Sequence, residues 1–300
     1  MHIVIGVDRS AAAEVACRFV AGRSWPIGTR ITLVSAFEPT IDWSGMAPPA
    51  TQGVVAERDA LVALLEERAA PLRTGGWVVE TVVDNGPAAD LLIAQAEAVM
   101  ADLIVVGSRG LGPIGRAVIG SVSTHLADHA PCPVLVARSP EATRMLLATD
   151  GTTSSRNIPR VLAAWGSALR GLPTEVVCVA PREVPVMAWA SESGDGIGER
   201  DRAIHEGIAE QVADEMVELG WTAAAIVRAG DPGREIVAAG QDWGADLIVT
   251  GSRGLGTLRR LVVGSVAHDV VLHTRSSVLV VRGLVPARRG HLALAQAALA

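Results

Sequence analysis

The sequence predicts an α/β protein made of two tandem domains of one kind, each with a mostly parallel sheet. Three observations predict it. Short apolar, β-branched runs alternate with helical stretches, the pattern of repeated βαβ units. Those runs lack a polar/apolar alternation, as expected of strands covered on both faces. The whole arrangement also occurs twice. Residues 101–112 read ADLIVVGSRGLG and residues 245–256 read ADLIVTGSRGLG, differing only at Val106 and Thr250. Solenoid repeats are roughly 20–45 residues long, so a separation this large marks a duplicated domain.

In the first copy, HIVIGV opens as a strand and a helix follows over 11–21. ITLVSAF is the second strand. A long connection over 38–53, bearing Pro and Gly, leads to a helix over 56–72. WVVETVV is the third strand. Pro87 is placed to open a helix that runs to about Met100, since proline suits the first helical position. DLIVVG and PVLVAR are strands four and five. The second copy follows the same course, with Asp231-Pro232 opening the matching helix and a second long connection over 181–198. Gly86 pairs with Gly230, and VIGVDRS (4–10) with LLATDGT (146–152). IGSVSTHLADHAPCPVLVAR (119–138) pairs with VGSVAHDVVLHTRSSVLVVR (263–282). The expected domains are 1–140 and 144–283, with a short polar linker over 139–144. The tail, 284–300, lies outside the repeat.

Composition narrows the chemistry. Of 300 residues, 49% are hydrophobic and 19% charged, which fits a globular chain. The formal charge of −6 argues against general nucleic-acid binding. No apolar run reaches the roughly 18 residues of a membrane span. The start, MHIVIGVDRS, has no basic region or cleavage site, which points to a cytoplasmic protein. Cys17, Cys132 and Cys178 are far apart and without metal-ligand spacing, so they read as buried reduced thiols. There is no lysine at all. A Walker-type phosphate loop and a pyridoxal-phosphate Schiff base both need one. There is no tyrosine either, which removes phenolic acid–base chemistry.

The motif that carries chemistry follows strand four. The first copy has Gly107-Ser108-Arg109-Gly110, nine residues, then Gly120-Ser121-Val122. The second has Gly251-Ser252-Arg253-Gly254, nine residues, then Gly264-Ser265-Val266. Glycines let a backbone approach a ligand and adopt positive φ. Gly107 and Gly251 sit at a strand end, where open α/β sheets bind ligands. Gly120-Ser121 and Gly264-Ser265 read as helix starts, whose free N–H groups and partial positive charge suit phosphate. The serine is placed either to cap the helix or to bond a phosphate oxygen. A plain strand-to-helix turn explains one or two of these glycines, but poorly three with a serine at fixed spacing in both copies. Gly110-Leu-Gly112-Pro-Ile-Gly115 formally matches a dinucleotide fingerprint, but the other copy has Arg259 at the third glycine. Both runs also follow strand four, not strand one.

These residues resemble the universal stress protein family in its ATP-binding branch, over nearly all of 1–283. G-x2-G-x9-G-[ST] is that family's nucleotide pattern, and HAPCPVLVAR is similar to its last helix end and fifth strand. The resemblance implies five-stranded parallel sheets of order 3-2-1-4-5 with helices on both faces. It also implies an Asp after strand one near the adenine, here Asp8 and Asp150. That carboxylate accepts from the adenine amino group or orders the neighbouring backbone. Gly6 leaves room beside the ring; the second copy has Ala148. The end of strand two, Ser35 and Val179, supplies a backbone contact. The family usually has Gly after the Asp. The second copy keeps Gly151, but the first has Arg9, so the first site departs further from the pattern. Arg109 and Arg253, with Arg116 and Arg260 beyond them, are either phosphate ligands or solvated charge.

The expected cofactor is ATP, with Mg²⁺ held mainly by its phosphates. His125 and His129 share a helix face, but the second copy has Asp269 and His273 there, so they read as helix-end residues, not metal ligands. No Ser/His/Asp set, paired carboxylates or activated nucleophile has a supporting motif. Binding is therefore favoured over turnover, in a nucleotide-dependent stress-response or signalling module with an unknown protein partner. A weak ATPase or phosphotransferase, and a scaffold with vestigial loops, are the alternatives. The apolar fifth strands, at Val134, Leu135, Val136 and at Val278, Leu279, Val280, would be sheet edges that invite pairing. Family members pair there, so the resemblance implies an internal pseudo-dimer, with further homo-oligomers open.

Overall fold

A computed structural model describes residues 1–37, 51–108, 120–180, 199–252 and 264–282. The chain forms two compact units. One holds Met1–Gly22 and Ile27–Pro140; the other holds Arg23–Pro26 and Glu141–Ala300.

In the first unit the strands are β1 (His2–Gly6), β2 (Arg30–Phe37), β3 (Val78–Asn85), β4 (Leu103–Gly107) and β5 (Val134–Ala137). They lie in the order β3-β2-β1-β4-β5, all parallel, with Ile5 opposite Leu33 on one side and Val105 on the other. Ile3, Ile5, Leu33, Leu103 and Ile104 are wholly buried. A central strand covered on both faces has no use for alternation, which is why the sequence lacks it.

The helices are α1 (Ala11–Ala21), α2 (Thr51–Thr74), α3 (Ala88–Ala98) and α4 (Ser121–His129). α1 packs against α2, and α3 against α4, so the pairs cover opposite faces of the sheet. Ser10 caps α1 by accepting the Ala13 amide at 3.2 Å. Within the span expected as a connection, 51–53 are already helical. Pro87 is the N-cap of α3 with extended backbone, not its first helical residue. The turn before it uses Gly86 at φ +128°, a region closed to most side chains.

The second unit repeats the design with β6 (Met145–Thr149), β7 (Thr174–Ala180), β8 (Ala223–Ala229), β9 (Leu247–Gly251) and β10 (Ser277–Val281). Their order is β8-β7-β6-β9-β10, again parallel. Counted from its own first strand, each sheet runs 3-2-1-4-5. The helices are α5 (Thr153–Arg156), α6 (Ile158–Ala164), α7 (Glu199–Glu218), α8 (Pro232–Trp243) and α9 (Ser265–His273). Here the repeat is not faithful. The counterpart of α1 is broken in two at Asn157, because Pro159 has no N–H to give to the Ser155 carbonyl. α8 starts as expected: Asp231 accepts the Arg234 amide at 3.0 Å and Pro232 is the first helical residue.

The aspartate of each ADLIV run has a structural task that the sequence did not disclose. Asp102 accepts the His2 amide at 2.8 Å, pinning the start of β1. Asp246 accepts the Thr143 amide at 2.8 Å, the Thr143 hydroxyl at 2.7 Å and the Arg144 amide at 3.1 Å, pinning the chain just before β6.

Candidate functional site

In each sheet the chain leaves strand one for strand two on one side, while strand four lies on the other. The carboxyl ends of β1 and β4, and of β6 and β9, therefore flank a switch-point crevice, the usual ligand position of an open α/β sheet. β2 deepens it. Val34 is the last β2 residue matched to β1, and its carbonyl accepts the Val7 amide at 2.9 Å. Ser35 continues on β2 opposite Val83, buried to 1% exposure. Its counterpart Val179 lies opposite Arg228 and is half-buried.

The two halves of the glycine–serine motif are joined by the backbone. Gly120 donates its amide to the Ser108 carbonyl at 3.0 Å, and Gly264 donates to the Ser252 carbonyl at 2.7 Å. Ser108 and Ser252 are themselves tied to strand five, donating to Ala137 O at 3.1 Å and Val281 O at 2.8 Å. The helix start is thereby fixed beside the end of strand four in both units. Gly120 and Gly264 are the N-caps, with φ/ψ of −65°/145° and −60°/144°. Ser121 and Ser265 are thus the first helical residues and do not cap, which corrects one role expected of them. Intrahelical bonding begins with Thr124 N to Gly120 O and His268 N to Gly264 O, both at 3.2 Å. The amides of Ser121, Val122 and Ser123, and of Ser265, Val266 and Ala267, are therefore the first-turn donors of each helix, the ones that intrahelical bonding leaves over.

Among the described residues, the motif glycines Gly107, Gly120, Gly251 and Gly264 do not use positive φ, against expectation. Gly107 is required by packing: a β-carbon there would overlap the Ala12 backbone at the start of α1. Gly251 faces Ser154 and Ser155, with a β-carbon 3.3 Å from the Ser154 Oγ. Gly6 turns its bare face toward Leu92 and Val106, where a β-carbon would come within 2.9 and 3.0 Å. Packing inside the domain accounts for Gly6 without a ring beside it. Arg109, Gly110, Arg116, Arg253, Gly254 and Arg260 lie outside the described residues.

Asp8 and Asp150 both order the turn after strand one. Asp8 accepts the Ser10 amide at 2.9 Å and the Ser10 hydroxyl. Asp150 accepts the Thr152 amide at 3.0 Å, its hydroxyl at 2.6 Å and the Ser155 hydroxyl at 2.8 Å. Gly151 sits at φ +73°, whereas Arg9 at the matching place is not in the left-handed region and is exposed. The turn therefore differs between the units.

Ser154, which the sequence did not single out, aligns with Ala12 once the two turns are matched from Asp8 and Asp150. Its Oγ is buried and has no hydrogen-bond partner. Comparing the two copies at that position is the signal that would have found it.

Titration of nearby groups favours inert neighbours. Burial, with the Asp150 carboxylate adding to it, pushes the Cys178 thiol up to about 12, and burial pushes Cys17 up to about 11. All three cysteines are buried and none is in a disulfide. His125 and His129 stack with centroids 4.4 Å apart, and His129 Nδ1 donates to His125 O at 3.1 Å. Among the described residues no group of three or more His, Cys, Asp or Glu could hold a metal, and no helix is long and apolar enough to cross a membrane.

A doubly wound α/β unit, whose switch-point crevice is bordered by a clamped helix entry, defines a Rossmann-like class of tandem-domain protein. The chain belongs to the universal stress protein family, whose family model matches residues 1–138 and 141–282. It is 29% identical over 305 residues to a universal stress protein of Mycobacterium tuberculosis, covering 94% of this chain and 96% of that one. It is 27% identical over 300 residues to one of Mycolicibacterium smegmatis, covering 93% and 96%. A crystal structure of a universal stress protein from Archaeoglobus fulgidus superposes with a TM-score of 0.65 at 18% identity, covering 94% of this chain and 98% of that one. At that identity the likeness is one of fold.

Proposed function

We propose that this chain is an ATP-binding stress-response or signalling module, with one adenine-nucleotide site in each domain. One observation carries the reading. In both units the Ser108–Gly120 or Ser252–Gly264 backbone bond fixes three first-turn helix amides beside the switch-point crevice. Such amides, with the helix dipole behind them, suit phosphate and need no lysine. The base lies toward Asp8 and Ser35, or Asp150 and Val179, at the ends of strands one and two. Arg109, Gly110, Arg253 and Gly254, of the same sequence motif, are the further ligands this reading assigns. Mg²⁺ is carried by the phosphates and water, since the described residues offer it no ligand cluster.

The Asp8 and Asp150 carboxylates are engaged by the turns they order, which favours binding over turnover at these positions. Nucleotide occupancy would then bias a surface that a protein partner reads, which requires tighter ATP binding in one conformation than in another. The domains are 1–140 and 144–283, with 284–300 a tail, and the apolar fifth strands support pairing of the two copies. Native mass spectrometry tests the reading: it predicts up to two ATP per chain, with a higher melting temperature when bound. An unliganded chain whose melting temperature ignores Mg-ATP would overturn it.

A further inference from the structure

The two domains, alike in sequence at the glycine–serine motif, differ in what faces the end of strand four. In the first, Gly107 is closed against α1: a β-carbon on it would overlap the Ala12 carbonyl group. In the second, the equivalent wall is the Ser154 side chain with the Ser155 amide beside it; the Ser154 Oγ and the Ser155 nitrogen each stand 3.3 Å from the place a β-carbon on Gly251 would take. That hydroxyl is buried and bonded to nothing, although hydroxyls surround it in sequence. Three of its neighbours are engaged: Thr149 Oγ1 with Ser155 Oγ at 3.1 Å, and Ser155 Oγ and Thr152 Oγ1 with Asp150, while Thr153 is exposed. A buried hydroxyl without a partner is a net cost, and most such groups in native proteins find a protein, water or ligand partner. Here the satisfied network spans the same turn, so local geometry did not prevent pairing; the buried Ser154 hydroxyl is left over, beside a bare glycine at the crevice.

We propose that the Ser154 hydroxyl donates a hydrogen bond to a phosphate oxygen of the nucleotide in the second domain, making that domain the tighter of two unequal sites. This rests on the nucleotide reading above and deepens it. A hydrogen bond to a charged phosphate is stronger than one between neutral groups. Ala12 gives the first domain no such donor, and the close contact at Gly107 leaves no space for one. The first domain also has Arg9 where the second has Gly151, so the asymmetry extends over the whole turn after strand one. Both sites remain nucleotide sites, filled in sequence as ATP rises.

The test is calorimetric titration of the full chain with Mg-ATP and, separately, with adenosine. Wild type shows two classes of ATP site. Ser154→Ala weakens the tighter class by about ten- to a hundredfold, the loss of one charge-assisted bond, and leaves adenosine binding unchanged. The ligand-free variant melts no lower than wild type, because the hydroxyl it loses bonds nothing. Two equal ATP sites in wild type, or unchanged affinities in Ser154→Ala, would overturn the proposal while leaving the nucleotide reading intact. Equal losses for ATP and adenosine would overturn the phosphate assignment. No binding by wild type at all would fail the nucleotide reading itself.

Discussion

Gly107 lies against Ala12 so closely that no β-carbon fits between them, whereas a β-carbon on Gly251 would sit 3.3 Å from the Ser154 Oγ and from the Ser155 amide nitrogen, tight but short of overlap. Two glycines whose motifs differ only at the preceding residue, Val106 or Thr250, therefore answer to different constraints. Gly107→Ala forces the start of α1 away from the end of β4. We expect it to destabilise the first domain by roughly 1–3 kcal/mol, the usual cost of overpacking. Gly251→Ala meets the Ser154 hydroxyl and the Ser155 amide nitrogen at 3.3 Å, a shift of a few tenths of an ångström, and should cost less. Urea unfolding of each variant, followed by domain-resolved hydrogen exchange, measures the difference.

Asp246 holds the Thr143 and Arg144 amides and the Thr143 hydroxyl at once. Asp246→Ala leaves those donors without their carboxylate partner, and we expect a loss of about 1–3 kcal/mol in the second domain. Hydrogen exchange should show faster exchange at Thr143 and Arg144. Unchanged exchange there would contradict the assigned role.

His2 has its pKa lowered below 6.5, first by burial and then by the Arg30 guanidinium. Its Nε2 lies 2.8 Å from Thr32 Oγ1. The unfolded chain takes up the proton first, so the His2 contribution is complete above about pH 6.5 and is lost as pH falls toward the folded-state value. Stability measured from pH 7.5 down to 5.5 should decline, and His2→Asn should flatten that part of the profile.

Cys178, pushed up to about 12, and Cys17, pushed up to about 11, carry almost no thiolate at neutral pH. A thiol reagent at pH 7.5 should label neither until the protein unfolds. Labelling faster than unfolding would show that the strand carrying Cys178 opens locally.

Much of the fold was legible because the sequence pattern was redundant. Strands such as ITLVSAF and DLIVVG are apolar throughout, and each element was seen twice. The exceptions have local causes. Pro159 breaks the first helix of the second copy, a break that the intact helix of the first copy masked. Pro87 and Pro232 occupy different cap positions although both follow the same repeated glycine, because one copy places Asp231 between them. Ser121 and Ser265 looked like caps, but a glycine with extended backbone already serves, which moves each serine one place into the helix. For the site, spacing marked the residues at strand four and the next helix. It did not reveal that a backbone hydrogen bond joins Ser108 to Gly120, nor that Gly107 is bare for packing. Ser154 was hidden because its role depends on an unequal pairing with Ala12 that appears only when the two turns are overlaid.

The central claim is that main-chain amides at the start of α4 and α9 receive the phosphates. Proline at Ser121 or Ser265 removes one of those amides at the helical position where proline is best tolerated. The preceding glycines already have the extended backbone that proline demands of its neighbour. The decisive measurement is Mg-ATP affinity of the Ser121→Pro/Ser265→Pro chain beside that of Ser121→Ala/Ser265→Ala. The account predicts an unchanged fold in both, with affinity about tenfold or more weaker in the proline variant than in the alanine variant. Equal affinities in the two variants would contradict it.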